Sequence, residues 1–200
     1  MHEPGEGYIK FDCHLTKEKI DIQSELFEPL NHWRSAVWDK GMIGVYPDGI
    51  GYGNISIRVP GTDSFYISGT ATGSIPILDP AYYSLVERCN PTLNAIWCRG
   101  MIRASAESMS HAAIYAANSD VGAVVHIHNR QLWEKYLDEL PTTDPNVAYG
   151  TPDMAFEIDR IMTLPATLLK KIFVMGGHEE GLVSFGKTVE EAALIILALE

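Results

Sequence analysis

The segment Val121-Gly122-Ala123-Val124-Val125-His126-Ile127-His128 constrains the fold more than any other part of this chain. The apolar run is short, rich in valine and opens on a glycine, so it reads as a strand buried within a sheet. Strand side chains alternate between faces, so His126 and His128 leave the strand end on the same side. One histidine in such a place is most simply a core ring satisfied by backbone groups. A same-face pair closing an apolar strand points to shared ligation of one metal ion.

The remaining segments supply elements to surround that strand. Ile22, Leu26, Leu30, Trp33 and Val37 recur at helical spacing, so a helix is expected from Thr16 until Gly41 stops it. Pro29 should either kink that helix or open a second one. Ile55, Ile57 and Val59 alternate with polar residues as a strand, and Phe65 to Ser68 follows across Pro60-Gly61-Thr62-Asp63. Ser84 to Cys89 and Ala95 to Arg99 read as a second hairpin. Ser105 is expected to cap a helix reaching about Asn118. After the histidine strand come a helical stretch over 130–140 and a helix opened by Thr151-Pro152 that reaches about Leu164. Short strands at Ile172 to Met175 and Leu182 to Phe185 precede a final helix with the capping box Thr188-Val189-Glu190-Glu191. This order predicts an α/β fold, one sheet covered by helices on both faces. Residues 1–15 are expected to form a loosely tied arm, with one domain over 16–200.

Composition narrows the function. A formal net charge of −11 over 200 residues, without a basic stripe, argues against a nucleic-acid binder. Cys13, Cys89 and Cys98 have no CxxC spacing, so they make neither a disulfide framework nor a zinc ribbon, and reduced thiols are expected. The polar stretch Met1 to Leu15 lacks a signal core, and the apolar run Ala192 to Leu199 is too short to span a bilayer. A cytoplasmic location, away from membranes, is expected.

Other residues can join the histidine pair. His178 lies in the glycine-flanked loop Met175-Gly176-Gly177-His178-Glu179-Glu180-Gly181; it is either an exposed loop residue or a third ligand. Glu107 and His111 share a helix face at i and i+4, as a solvated pair or as a carboxylate beside the metal that ligates it or acts as base. Gly53-Asn54, Thr72-Gly73 and Ser105 can offer N–H groups and small polar side chains to a phosphate, although turns and caps also use such residues.

Taken in order, these motifs resemble the class II aldolase/adducin family in its L-fuculose-phosphate aldolase-like form. The resemblance runs over roughly residues 20–200. It rests on Gly53-Asn54-Ile55-Ser56, Ser68-Gly69-Thr70-Ala71-Thr72-Gly73, Ser105-Ala106-Glu107 with His111, Ala123-Val124-Val125-His126-Ile127-His128, and His178 before Gly181-Leu182-Val183-Ser184-Phe185-Gly186. It implies a three-layer α/β/α sandwich around a central, mainly antiparallel sheet. It also implies a cyclic homotetramer with active sites at subunit interfaces and a catalytic divalent metal, usually Zn2+. By position, His126, His128 and His178 match the metal ligands. Glu107 matches the acid/base that also ligates the free enzyme's metal. Gly53, Asn54, Thr72, Gly73 and Ser105 match the substrate phosphate site.

The implied activity is a metal-dependent lyase of aldolase type. It cleaves or forms a C–C bond in a small ketose phosphate through an enediolate that the metal stabilises and Glu107 protonates or deprotonates. The family also contains 4-epimerases, which tend to carry Asp at the position of Glu107, and a methylthioribulose-phosphate dehydratase, which Ser105-Ala106-Glu107 resembles slightly more. A non-catalytic, adducin-like interaction domain is the alternative of a different kind. Ala106 and Ala104 stand where the family often has serine and proline. Glu179-Glu180 are inserted between His178 and Gly181, which leaves the place of the third imidazole open. The family often takes a catalytic tyrosine from a neighbouring subunit, and neither Tyr136 nor Tyr149 can be matched to it from the sequence.

Overall fold

A computed structural model of the chain describes residues 8–199. Its centre is an eight-stranded sheet in which β8 (Ala123–His128) lies between β4 (Asn54–Arg58) and β10 (Gly181–Gly186). From β4 the sheet continues through β5 (Phe65–Ser68), β6 (Tyr83–Asn90) and β7 (Ala95–Gly100) to the edge strand β1 (Asp12–Lys17). Beyond β10 it closes with β9 (Ile172–Val174). Every pairing is antiparallel except β1 with β7. All six residues of β8 are buried. A strand bonded on both edges and covered on both faces needs apolar side chains in both directions, which explains its unbroken Val/Ile run.

Alternation along β8 divides two cores. Val124 packs with Met109 and Ile114 of α2 (Ser108–Ala117) and with Met154 and Ile158 of α4 (Pro152–Ile161). Ala123, Val125 and Ile127 pack on the other face with Leu30 and Val37 of α1 (Ser24–Asp39) and with Ala192 and Ile196 of α6 (Val189–Leu197). Helices therefore cover both faces of a mainly antiparallel sheet, the three-layer α/β/α arrangement expected. His126 and His128 share the face of Val124 at the strand end. The capping predictions at two helices hold: Thr188 Oγ1 accepts from the Glu191 N–H and Thr151 Oγ1 from the Met154 N–H.

Several local expectations need correction. Thr16 does not begin a helix; residues 12–17 form β1, and α1 starts at Ser24. Residues 12–15, expected in a loose arm, thus belong to the sheet, while residues 1–7 of that arm lie outside the described residues. One helix runs through Pro29. The second helix begins at Ser108, not after Ser105: the Ser105 carbonyl accepts from the Ser108 N–H and hydroxyl in a preceding turn. The helix expected over 130–140 is α3 (Arg130–Tyr136). Also unforeseen are the short hairpin of β2 (Gly44–Val45) and β3 (Gly51–Tyr52), and α5 (Pro165–Lys170), opened by a proline at its first turn. Cys89 and Cys98 sit on neighbouring β6 and β7, and Cys13 Sγ lies 3.7 Å from Cys98 Sγ. All three cysteines are free thiols. No helix among the described residues is long and apolar enough to cross a membrane.

Candidate active site

The sheet places His126 and His128 at the C-terminal end of β8, opposite Val183 and Gly181 of β10. His178 arrives from the loop between β9 and β10. The inserted Glu179-Glu180 do not displace it. The His178 N–H donates to the Met175 carbonyl, and the His178 carbonyl accepts from the Gly181 N–H, so the insertion is absorbed in a tight turn. Glu180 takes the left-handed conformation in that turn, with φ +72°. The three imidazoles are buried, and one nitrogen from each lies within 4.8 Å of the others. Gly181 keeps this space open, since a Cβ there would stand 3.2 Å from His178 Nδ1 and 3.3 Å from His126 Nε2.

The donor set fits a divalent metal. Tetrahedral zinc with bonds of about 2.0–2.1 Å holds its ligand nitrogens about 3.4 Å apart, so a modest inward turn of the rings closes the set. His126 Nε2 is buried without a hydrogen-bond partner, a position that costs free energy unless a ligand takes the lone pair. Asn54 lies across from His126 on β4, its amide 3.3 Å from Nδ1. The two ends of an amide are told apart only by hydrogen bonding. Turned so that Oδ1, otherwise unpartnered, accepts from Nδ1–H, Asn54 satisfies both groups and leaves Nε2 bare. Burial, followed by the neighbouring imidazoles, holds His126 and His128 well below the usual histidine range, so both rings are neutral and competent to ligate.

Glu107 stands at the rim of the cluster, 3% exposed, with Oε1 at 3.7 Å from His178 Nδ1. It occupies the N-cap position of α2 but makes no side-chain capping bond. Its Oε2 instead accepts from Ser110 Oγ at 2.8 Å, which fixes the carboxylate toward the histidines. His111, one turn on, is not exposed as a solvated pair with Glu107 would require; it is fully buried. Its Nδ1 lies 2.7 Å from Ser56 Oγ, which in turn lies 2.7 Å from the Tyr115 hydroxyl.

Burial depresses His111 to about 3. The unfolded chain therefore binds this proton near pH 6.5 and the folded chain does not, so the stability is present above pH 6.5 and is lost as pH falls toward 3. His126 and His128 act in the same direction. Denaturant unfolding of the metal-free protein should show a loss of about 2 kcal/mol from His111 alone between pH 8 and pH 5. A flat profile over that range would contradict its buried, neutral state.

A cleft opens beside Glu107. Gly53, Asn54, Thr72, Gly73 and Ser105, the five residues expected to hold phosphate, all line it. Among the described residues its only charged lining side chain is Glu107, so an anion there would rest on N–H groups and hydroxyls of this chain. The glycines also have packing reasons. Gly53 has φ +71°, and a Cβ there would meet Met42 O at 2.9 Å and Ile43 Cγ1 at 2.8 Å. A Cβ on Gly73 would overlap the Gly44 carbonyl oxygen. Gly73→Ala should therefore destabilise the fold by about 1–3 kcal/mol, read as a lower urea midpoint. An unchanged midpoint would show that the hairpin yields freely.

Three contributors were not assigned from the sequence. Arg34 of α1 is fully buried and donates to the Thr72, Ile75 and Pro76 carbonyls, so it fixes the loop that walls the cleft. Tyr149 lines the cleft and stacks on His178, with centroids 4.2 Å apart and planes at 20°. Tyr136 instead packs against the opposite core. Tyr46, in the turn between β2 and β3, places its hydroxyl 2.9 Å from His128 Nδ1. None of these has a motif: Arg34 lies on a helix remote in sequence, and the tyrosines lie in irregular segments.

Comparison with known proteins decides the family. A sequence profile described as Class II Aldolase and Adducin N-terminal domain matches residues 48–200. The chain belongs to this family. Comparison with curated protein sequences gives no match. Among solved structures, similarity extends to YgbL from Escherichia coli, a putative aldolase/epimerase/decarboxylase. The two share 20% identity over 90% of this chain and 86% of that one, with a TM-score of 0.65. L-Fuculose-1-phosphate aldolase from Thermus thermophilus shares 18% identity over 88% and 90% of the respective chains, with a TM-score of 0.64. A sugar-phosphate aldolase from Thermotoga maritima shares 17% over 88% and 91%, with a TM-score of 0.60. At these identities the likeness establishes the class II aldolase fold, and the chemistry is argued from the site.

Proposed function

We propose that this class II aldolase-family protein is a metal-dependent aldehyde-lyase acting on a small ketose phosphate. The observation that carries the reading is the convergence of His126, His128 and His178 beside Glu107, which also lines a cleft of small polar groups. His126, His128 and His178 would hold the ion, with Glu107 at its edge. A divalent metal, zinc or another, would supply Lewis acidity there, polarising the ketose carbonyl and offsetting the negative charge left when the C–C bond breaks. Glu107 moves the proton on the carbon released by that cleavage. Asn54, Thr72 and Ser105, with the backbone at Gly53 and Gly73, receive the phosphate and fix the sugar's register against Glu107.

A second reading is supported by Ala106, which lines the cleft beside Ser105 and Glu107. The same proton-transfer machinery would then remove water from a ketose phosphate instead of splitting its carbon chain. On either reading the working unit is taken as a cytoplasmic cyclic homotetramer with its active sites at subunit interfaces, which rests on the family. Aldehyde release from a panel of ketose 1-phosphates, followed by coupled reduction, tests the reaction. Cleavage of one of them supports the lyase. Dehydration without cleavage moves the assignment to the dehydratase, and inertness of the metal-loaded protein in both assays favours an interaction domain.

A further inference from the structure

The Glu179-Glu180 insertion does more than fit beside the site. Its backbone is tied to the histidine strand: the Glu180 carbonyl accepts from the Asn129 N–H at 2.9 Å, directly after His128. The His128 N–H itself donates to the Met42 carbonyl at 2.9 Å, so His128 is held between the β2 side and the insertion. The side chains repeat this grip. The Tyr46 hydroxyl donates to Glu180 Oε2 at 2.6 Å and lies 2.9 Å from His128 Nδ1. Glu180 is itself anchored through Oε1, which accepts from Arg130 Nε at 3.1 Å. Tyr52 completes the enclosure, stacked over the His128 ring with centroids 5.6 Å apart.

Hydrogen-bond bookkeeping then fixes the imidazole. The Tyr46 hydroxyl donates to Glu180 Oε2, so its single phenolic proton goes to Glu180. Toward His128 the Tyr46 oxygen is left as an acceptor, and Nδ1 must carry the ring proton. Nε2 then presents its lone pair to the histidine cluster. We propose that Tyr46 and Glu180 are positioning residues that lock His128 in the Nδ1–H tautomer, so that the inserted Glu180 serves as an outer support for a metal ligand. This rests on the metal-site reading given above. Outer partners of this kind typically change metal affinity about 10–100-fold.

The test uses the full chain and zinc alone. In the metal-free protein, imidazole 15N NMR should show His128 with a protonated Nδ1 and a bare Nε2. Tyr46→Phe removes the acceptor and should mix the tautomers. Glu180→Ala frees the Tyr46 proton to point at Nδ1 and should shift His128 toward Nε2–H. Both variants should bind zinc about 10–100-fold more weakly in competition with a chelator. Glu179→Ala breaks the neighbouring Arg130 contact of 2.7 Å but not the Tyr46 bond, and should match the wild type in both measurements. A wild-type His128 protonated at Nε2 overturns the proposal, as do variants that bind zinc as tightly as the wild type. Equal weakening by Glu179→Ala also overturns it, since that would trace the effect to the turn as a whole. If the wild type takes up no zinc, the metal-site reading fails with it; if the wild type binds and the variants are unaffected, only the tautomer lock fails.

Discussion

Glu107→Gln should lower turnover about 10²–10⁴-fold while leaving the fold and the bound metal in place. The amide keeps the shape of the carboxylate and can still accept from Ser110 Oγ, so the preceding turn has no reason to rearrange. It cannot take a proton. The size of the effect follows from the place of Glu107: buried at the start of α2, without a capping duty, and aimed at His178. Steady-state kinetics on the substrate that gives the highest rate, alongside the melting temperature and metal content, separates these possibilities. Turnover equal to the wild type would reject Glu107 as the base. Turnover lost together with the melting transition would assign it a structural duty instead.

Removing the metal with a chelator should abolish turnover and soften the protein. A ligand present at about 1,000 times its dissociation constant stabilises the native state by about 4 kcal/mol. In a chain of this size that corresponds to a drop of roughly 8–16 °C in melting temperature on stripping. The stripped protein should itself melt lower at pH 6 than at pH 8, because the buried neutral rings of His126 and His128 must compete with protonation in the unfolded chain. Adding zinc back should restore both properties. Full activity and an unchanged transition after stripping would contradict a resident catalytic ion.

The strands and the histidine face were legible because alternation has a fixed period. Once Val121 to Ile127 is a buried strand, His126 and His128 must share a side. The caps at Thr151 and Thr188 were legible for a similar reason, since their side-chain bonds are local. β1 was not, because an edge strand of mixed burial such as Asp12–Lys17 is stabilised by pairing with β7, more than 80 residues away in the chain. The helix after Ser105 began late because the Ser105 carbonyl and hydroxyl close a turn first, which places Glu107 at the cap and not within a helix face. Tyr46, Arg34 and Glu180 became visible only in three dimensions. Their roles depend on hydrogen bonds across 38 to 134 residues of sequence separation, and no local pattern encodes those. The sequence left the effect of the Glu179-Glu180 insertion on His178 open; the turn closed by the Gly181 N–H shows that His178 still joins the cluster.

The claim that three imidazoles hold one metal is tested most directly by elemental analysis of the purified wild type and of His126→Ala, followed by zinc titration of both after stripping. His126 is the choice because its Nε2 is buried without a hydrogen-bond partner and the Tyr46 contact to His128 does not involve it. One equivalent of a divalent metal in the wild type, and its loss in a folded His126→Ala variant, is the expected result. A wild type that neither carries nor takes up an ion, or a variant that binds zinc as the wild type does, would contradict it.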